Sequence, residues 1–125
     1  MKILLVYNYS PVEPLGTLSL VDYLERNGHE AEMRDWQSLA KKNLNFEDYD
    51  FVGFTILTGS HNQMFRIADQ IRNKTKVIIG GPHTISFSEE CKTHADFVVR
   101  GFGERILLKI VEGEIKEAGI YSEST

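Results

Sequence analysis

Apolar residues recur along this chain in two alternating rhythms. Short runs such as Ile3-Leu4-Leu5-Val6, Phe51-Val52-Gly53-Phe54 and Val77-Ile78-Ile79 are apolar at nearly every position. Between them lie longer stretches in which apolar residues return every third or fourth position. A short continuous apolar run is what a strand covered on both faces needs, and the wider spacing marks a helix with one apolar side. These rhythms predict strands over residues 2–7, 51–57, 76–79 and 97–99. They predict helices over 16–27, which repeats Leu18, Val21 and Leu24, over 61–73, which repeats Met64, Ile67, Ala68 and Ile71, and over 104–112. Shorter helices are expected over 37–44 and 84–91, the latter with Ile85 and Phe87 turned to the core. Residues 30–35 differ, because Ala31, Met33 and Asp35 alternate with Glu30, Glu32 and Arg34; a strand with one wetter face belongs at an edge.

Gly28 is a suitable stop for the first helix, and Gly80-Gly81-Pro82 breaks the fourth strand sharply. Strand and helix therefore alternate from one end to the other. Parallel strands require such crossovers, which are almost always right-handed. With the edge strand second in the chain, the expected fold is α/β: a flavodoxin-like (Rossmann-like), doubly wound, five-stranded parallel sheet in the order 2-1-3-4-5. At 125 residues the chain suits one domain. Residues 1–113 are expected to form it, with 114–125 a tail or linker.

Composition narrows the function. A net charge of −4 argues against general binding to a phosphate backbone. Lys41-Lys42 is only a pair, too little for an anionic membrane surface, and the first apolar run is too short to span one. The single cysteine, Cys91, excludes an internal disulfide and a thiolate cluster, and suits a reducing, cytoplasmic location. It reads as a buried, inert thiol rather than a nucleophile. Trp36 reads as packing against a sheet edge.

In an open α/β sheet, ligands bind beyond the carboxyl ends of the strands where the strand order reverses. The loops there span residues 8–16, 57–62, 80–86 and 100–104, and they are rich in glycine and in the hydroxyls and amides of Ser10, Thr58, Ser60, Asn62, Thr84 and Ser86. Glycine admits close backbone approach, and hydroxyls and amides supply neutral hydrogen bonds. Turn-making alone also explains such residues in any single loop; their clustering on one edge favours a site. Pro11 and Pro14 remove two N–H donors from the first loop, and no G-x-G-x-x-G or G-x-x-x-x-G-K-[ST] occurs, so a phosphate cradle for FMN is a weaker alternative. Thr55, Leu57 and Thr58 stand where a phosphoacceptor domain needs a carboxylate.

Several segments carry a family likeness: Pro14-Leu15-Gly16, Asn27-Gly28-His29-Glu30, Tyr49-Asp50-Phe51-Val52-Gly53, Thr58-Gly59-Ser60, Gly80-Gly81-Pro82-His83 and Val99-Arg100-Gly101-Phe102-Gly103-Glu104. In this order the chain resembles, over nearly its whole length, the cobalamin-binding domain found N-terminal to many radical S-adenosylmethionine enzymes. The resemblance implies that a corrin lies across the strand ends. It also implies that the nucleotide arm enters a slot between the sheet and a helix. Gly80 and Gly81 would leave room for that arm, and Thr55, Leu57, Thr58 and Ser60 would line the neighbouring wall. Tyr9, Ser10, Val12, Pro14, Leu15 and Gly16 would approach the lower face of the corrin, where Tyr9 is placed to stack. Gly59, Pro82, His83, Gly101, Phe102 and Gly103 complete the implied rim.

Two departures qualify the resemblance. The D-x-H-x-x-G motif that supplies a cobalt ligand in other cobalamin domains is missing after the first strand, and the first histidine is His29. Base-off binding without a histidine lower ligand is therefore expected. Phe102 stands where relatives often carry glutamate. The C-x-x-x-C-x-x-C of a radical domain is also absent, so an iron–sulfur cluster and S-adenosylmethionine would belong to a separate partner domain of a parent chain, towards which residues 112–121 resemble a lead-in. The isolated domain is not expected to catalyse a reaction, and neither catalytic residues nor a metal site is expected. His61 and His83 sit at strand ends and read as solvent-facing or hydrogen-bonded loop residues, and without an H-x-x-x-H or H-E-x-x-H pattern an autonomous zinc site is not expected. A domain that binds nothing and only mediates protein contacts is the remaining alternative.

Overall fold

A computed structural model describes residues 1–8, 13–39, 45–56, 61–101 and 103–122. Its elements run β1 (Lys2–Tyr7), α1 (Glu13–Arg26), β2 (Glu30–Asp35), α2 (Trp36–Leu39), β3 (Phe51–Thr55), α3 (His61–Ile71), β4 (Lys76–Gly80), α4 (His83–Lys92), β5 (Phe97–Val99), α5 (Glu104–Val111) and β6 (Gly119–Tyr121). The strands form one sheet in the order β2-β1-β3-β4-β5-β6, every pair parallel. The sheet is flavodoxin-like, and its reversal of order falls between β1 and β3.

The strand count corrects the expected five. Residues 119–121 add a sixth strand beside β5, pairing Phe97 with Gly119, Val98 with Ile120 and Val99 with Tyr121. The Arg100 N–H donates to the Tyr121 carbonyl at 2.8 Å, and the Gly119 N–H donates to the Asp96 carbonyl at 3.1 Å. Unlike the equally short but fully buried β5, Gly119-Ile120-Tyr121 is only half-buried and opens on glycine, so it shows no apolar run by which pattern could reveal it.

Helices cover both faces. On one side, Met64, Phe65, Ala68 and Ile71 of α3, with Cys91 of α4 and Leu39 of α2, pack on Leu4, Val6, Val52, Phe54, Val77 and Ile79. On the other, Leu20, Val21 and Leu24 of α1 and Leu107, Ile110 and Val111 of α5 pack on Ile3, Leu5, Phe51 and Ile78. The alternation of side chains along each strand sends successive residues to opposite layers.

Three helix details differ from the pattern reading. Helix α1 begins at Glu13 rather than residue 16, since Pro14 is tolerated in a first turn whose N–H groups lack intrahelical acceptors anyway. Its buried stripe is Thr17, Leu20, Val21 and Leu24, while Leu18 is exposed. In α4 the backbone leaves helical geometry at Phe87 (φ −130°, ψ 39°), and Ile85 and Phe87 face solvent instead of the core. The short helix expected over 37–44 is described over Trp36–Leu39, and its remainder lies outside the described residues. Trp36 does pack at the sheet edge, and its indole N–H donates to Asn8 Oδ1 at 2.9 Å, tying α2 to the end of β1. Among the described residues no helix is long and apolar enough to cross a membrane.

Candidate functional site

The carboxyl ends of β1, β3, β4 and β5 meet at one rim, at the switch in strand order. Thr55 closes β3 and pairs in register with Gly80 at the end of β4. Val52 and Phe54 belong to the α3/α4 layer and Val77 and Ile79 do likewise. By alternation, positions 53, 55 and 80 face the α1/α5 layer. That part of the sheet is floored by glycine, threonine and glycine, without a bulky side chain among them.

Two polar atoms in this layer lack partners. Thr17 Oγ1 and Thr55 Oγ1 are both buried and neither has a hydrogen-bond partner. Thr17 is 1% exposed and shares the sheet-facing stripe of α1 with Leu20, Val21 and Leu24. A buried hydroxyl without a partner costs about 1–3 kcal/mol, and these two lie on the same side of the sheet. Sequence reading named Thr55 and missed Thr17. The available signal was a hydroxyl inside the apolar spacing of the first helix.

Gly81 has a different role from its neighbour. Its φ is +99°, and a Cβ built there would lie 2.8 Å from Ile56 N and 2.9 Å from Ile56 O. The fold itself therefore requires this glycine, because the chain leaving β4 presses against the end of β3. The Ile56 N–H donates to Gly80 O at 2.9 Å and the His83 N–H donates to Ile56 O at 3.1 Å, which locks that contact. Gly16 is the opposite case: it sits in the early part of α1, is exposed, and a Cβ there would meet nothing within 4 Å. Among the described residues nothing calls for glycine at this point.

Thr84, fully buried, knots the loops after β4 and β5 together. Its hydroxyl donates to Gly81 O at 2.6 Å and accepts from the Gly101 N–H at 2.9 Å. This side chain was visible in sequence only as one of many loop hydroxyls. Pro82 is exposed at the start of α4, and Gly103 precedes α5 in extended geometry. Pro14, Leu15 and Gly16 lie in α1. Tyr9, Ser10, Val12, Leu57, Thr58, Gly59, Ser60 and Phe102 lie outside the described residues.

The histidines separate clearly. His29 lies at the amino-terminal rim, with Nδ1 3.3 Å from the Met1 amino group and Nε2 3.2 Å from Glu112 Oε2. His94 Nδ1 is 2.8 Å from Asp69 Oδ1. His83 is 3% exposed, and its Nε2 lies 3.1 Å from Glu90 Oε1. His61 stacks on His83 with ring centroids 4.5 Å apart. Cys91 is fully buried, and burial followed by the nearby Glu90 charge pushes its thiol up to about 11. It remains a protonated thiol at neutral pH and is no nucleophile.

The small-residue floor lies at the switch in strand order, the place where open α/β sheets take up ligands. The chain belongs to the B12 binding domain family, which matches residues 1–111. The cofactor of that family is cobalamin, and this domain is a cobalamin-binding module. Among curated relatives, an uncharacterized protein of Methanopyrus kandleri is 32% identical over 107 residues, covering 85% of this chain and 20% of the relative. The bacteriochlorophyllide d C-8(2)-methyltransferase of Chlorobaculum tepidum is 39% identical over 67 residues, covering 52% of this chain and 15% of that enzyme. The chain thus spans a fifth or less of these relatives.

Proposed function

We propose that this module holds cobalamin base-off, with no histidine on cobalt, and that it serves as the cofactor domain of a larger radical S-adenosylmethionine enzyme. The observation that carries the first part is the pair of buried hydroxyls, Thr17 and Thr55, left without partners beside the glycine floor. A nucleotide arm directed between the sheet and the α1/α5 layer brings acceptors and donors to both. An arm held there would keep its terminal base away from the cobalt. The first loop, Asn8-Tyr9-Ser10-Pro11-Val12, contains no histidine to replace it. His29 is at the opposite rim, and His83 and His94 are each engaged with a carboxylate.

Cobalamin supplies organometallic chemistry at cobalt when bound. The residues of this chain bind and orient it. Thr17 and Thr55 offer hydroxyls to the arm, Gly80 leaves space, and Gly16 lets the α1 backbone approach closely. Thr84 fixes the loops after β4 and β5 relative to one another, so the rim is held before the cofactor arrives. The Chlorobaculum relative is named as a methyltransferase, which supports a parent enzyme that uses cobalamin in group transfer. An iron–sulfur cluster needs several thiolates that one buried cysteine cannot provide, so the cluster, and the S-adenosylmethionine that it activates, would belong to a separate domain.

Titration of the chain with hydroxocobalamin, followed by absorbance and, after one-electron reduction, by electron paramagnetic resonance, tests this reading. A base-off spectrum without nitrogen hyperfine splitting is expected, unchanged in His61→Ala. A base-on spectrum, or nitrogen splitting from a histidine, in the bound fraction overturns it.

A further inference from the structure

On the other face of the sheet, α3 and α4 bring together three side chains that no local motif joins. One ring nitrogen each of His61 and His83 and a carboxylate oxygen of Glu90 all lie within 4.8 Å of one another. We infer that His61, His83 and Glu90 form a binding site for a divalent first-row transition ion, zinc foremost. The inference is independent of how cobalamin is held, since this cluster belongs to the α3/α4 layer and the partnerless hydroxyls to the α1/α5 layer.

Chemistry selects the class of ion. Two imidazoles and a carboxylate suit zinc and its neighbours, whereas calcium and magnesium take oxygen donors. Three protein ligands leave a position for water or a further donor. The framework selects the place. His61 and His83 are the first residues of α3 and α4, and Glu90 lies two turns along α4. His83 is buried, its backbone N–H is held by Ile56 O, and its ring is sandwiched between His61 at 4.5 Å and Phe87 at 4.7 Å. Phe65 meets both imidazoles edge-on, at 5.9 Å and 6.0 Å. Rings walled in this way need little ordering when a metal arrives.

Tetrahedral zinc with bonds of roughly 2.0–2.1 Å sets donors about 3.3 Å apart. His83 Nε2 and Glu90 Oε1, at 3.1 Å, already stand near that spacing, and a His61 nitrogen completes a set within 4.8 Å. Stacked rings also present their nitrogens side by side. His61 is only partly buried and the Glu90 side chain is 50% exposed, so an ion can reach the buried His83 beside them. A bound ion would then clip together the starts of the two helices that follow β3 and β4, both at the cofactor rim. The competing explanation is that the His83–Glu90 hydrogen bond and the ring stack serve packing alone.

Zinc titration against a chromophoric chelator, on corrinoid-free and metal-free chain, separates the two. One ion per chain is expected, with affinity at least tenfold weaker in His61→Ala and in Glu90→Gln and unchanged in His94→Ala. Zinc-edge X-ray absorption of loaded wild-type chain, which needs no variant, should show scattering from two imidazoles. No stoichiometric binding, equal affinity in both ligand variants, or a shell of oxygens alone overturns the site. Cobalamin titration of the same zinc-free protein reads the cofactor reading separately, so failure of one is not failure of the other.

Discussion

Thr55 and Thr17 show how a single atom separates a structural role from a binding role. If their hydroxyls exist for a cofactor, removing them should improve the empty protein and harm the loaded one. Thr55→Val deletes a buried oxygen that has no partner while keeping the branched shape. Corrinoid-free Thr55→Val should therefore gain about 1 kcal/mol in urea denaturation, and cobalamin affinity should fall about three- to tenfold in titration. A variant that loses stability and binds cobalamin as before would show that the hydroxyl serves the fold. Thr55 was legible in the sequence because it ends an apolar run at a place where ligands gather. Thr17 was not, because the apolar repeat of the first helix was read through Leu18, which points to solvent. His61 and His83 were individually visible and Glu90 was not, and the grouping of the three depends on how α3 sits against α4, which no spacing within either helix encodes.

Elements read well from pattern along a strand, whether one face or both are buried. Strands β1, β2 and β5 fall at the residues their hydrophobicity indicates, because full or one-sided burial dictates each position in turn. Helix starts read less well, since the first turn is governed by the needs of N–H groups rather than by an apolar stripe. The breaks between elements carry the sharper information, as the two glycines at the rim show. Gly81→Ala would force a Cβ against the backbone of Ile56 at a positive φ, and neither backbone can retreat without disturbing the β3–β4 ladder. A loss of about 2–4 kcal/mol is expected in denaturant unfolding. Gly16→Ala meets nothing and gains helix propensity, so the empty protein should be stabilised by about 0.5–1 kcal/mol. A similar loss in both variants would mean that α1 packs more tightly at its start than its open surroundings indicate.

At the scale of the whole molecule, the question is where the folded unit ends. Pattern placed that end at residue 113, but β6 lies beyond it and completes the sheet. Ile120 packs against the α3/α4 layer, while Ile115 and Tyr121 pack against the α1/α5 layer, so the last strand touches both cores. Removing residues 114–125 uncovers one side of β5, a three-residue strand, and exposes apolar surface on both faces. The truncated chain should unfold about 10 °C lower, consistent with the loss of about 2–4 kcal/mol of burial, and should associate through its bared strand edge at high concentration. The small-residue floor lies at β3 and β4, two strands away from the cut. Cobalamin affinity at a temperature where both forms are folded should therefore change less than twofold. Equal melting temperatures would make β6 an appendage of a unit that ends at α5. A large loss of affinity alongside the lower melting temperature would instead place the last strand within the support of the cofactor rim, acting through Arg100, whose backbone N–H is held by Tyr121 in the loop that Thr84 anchors.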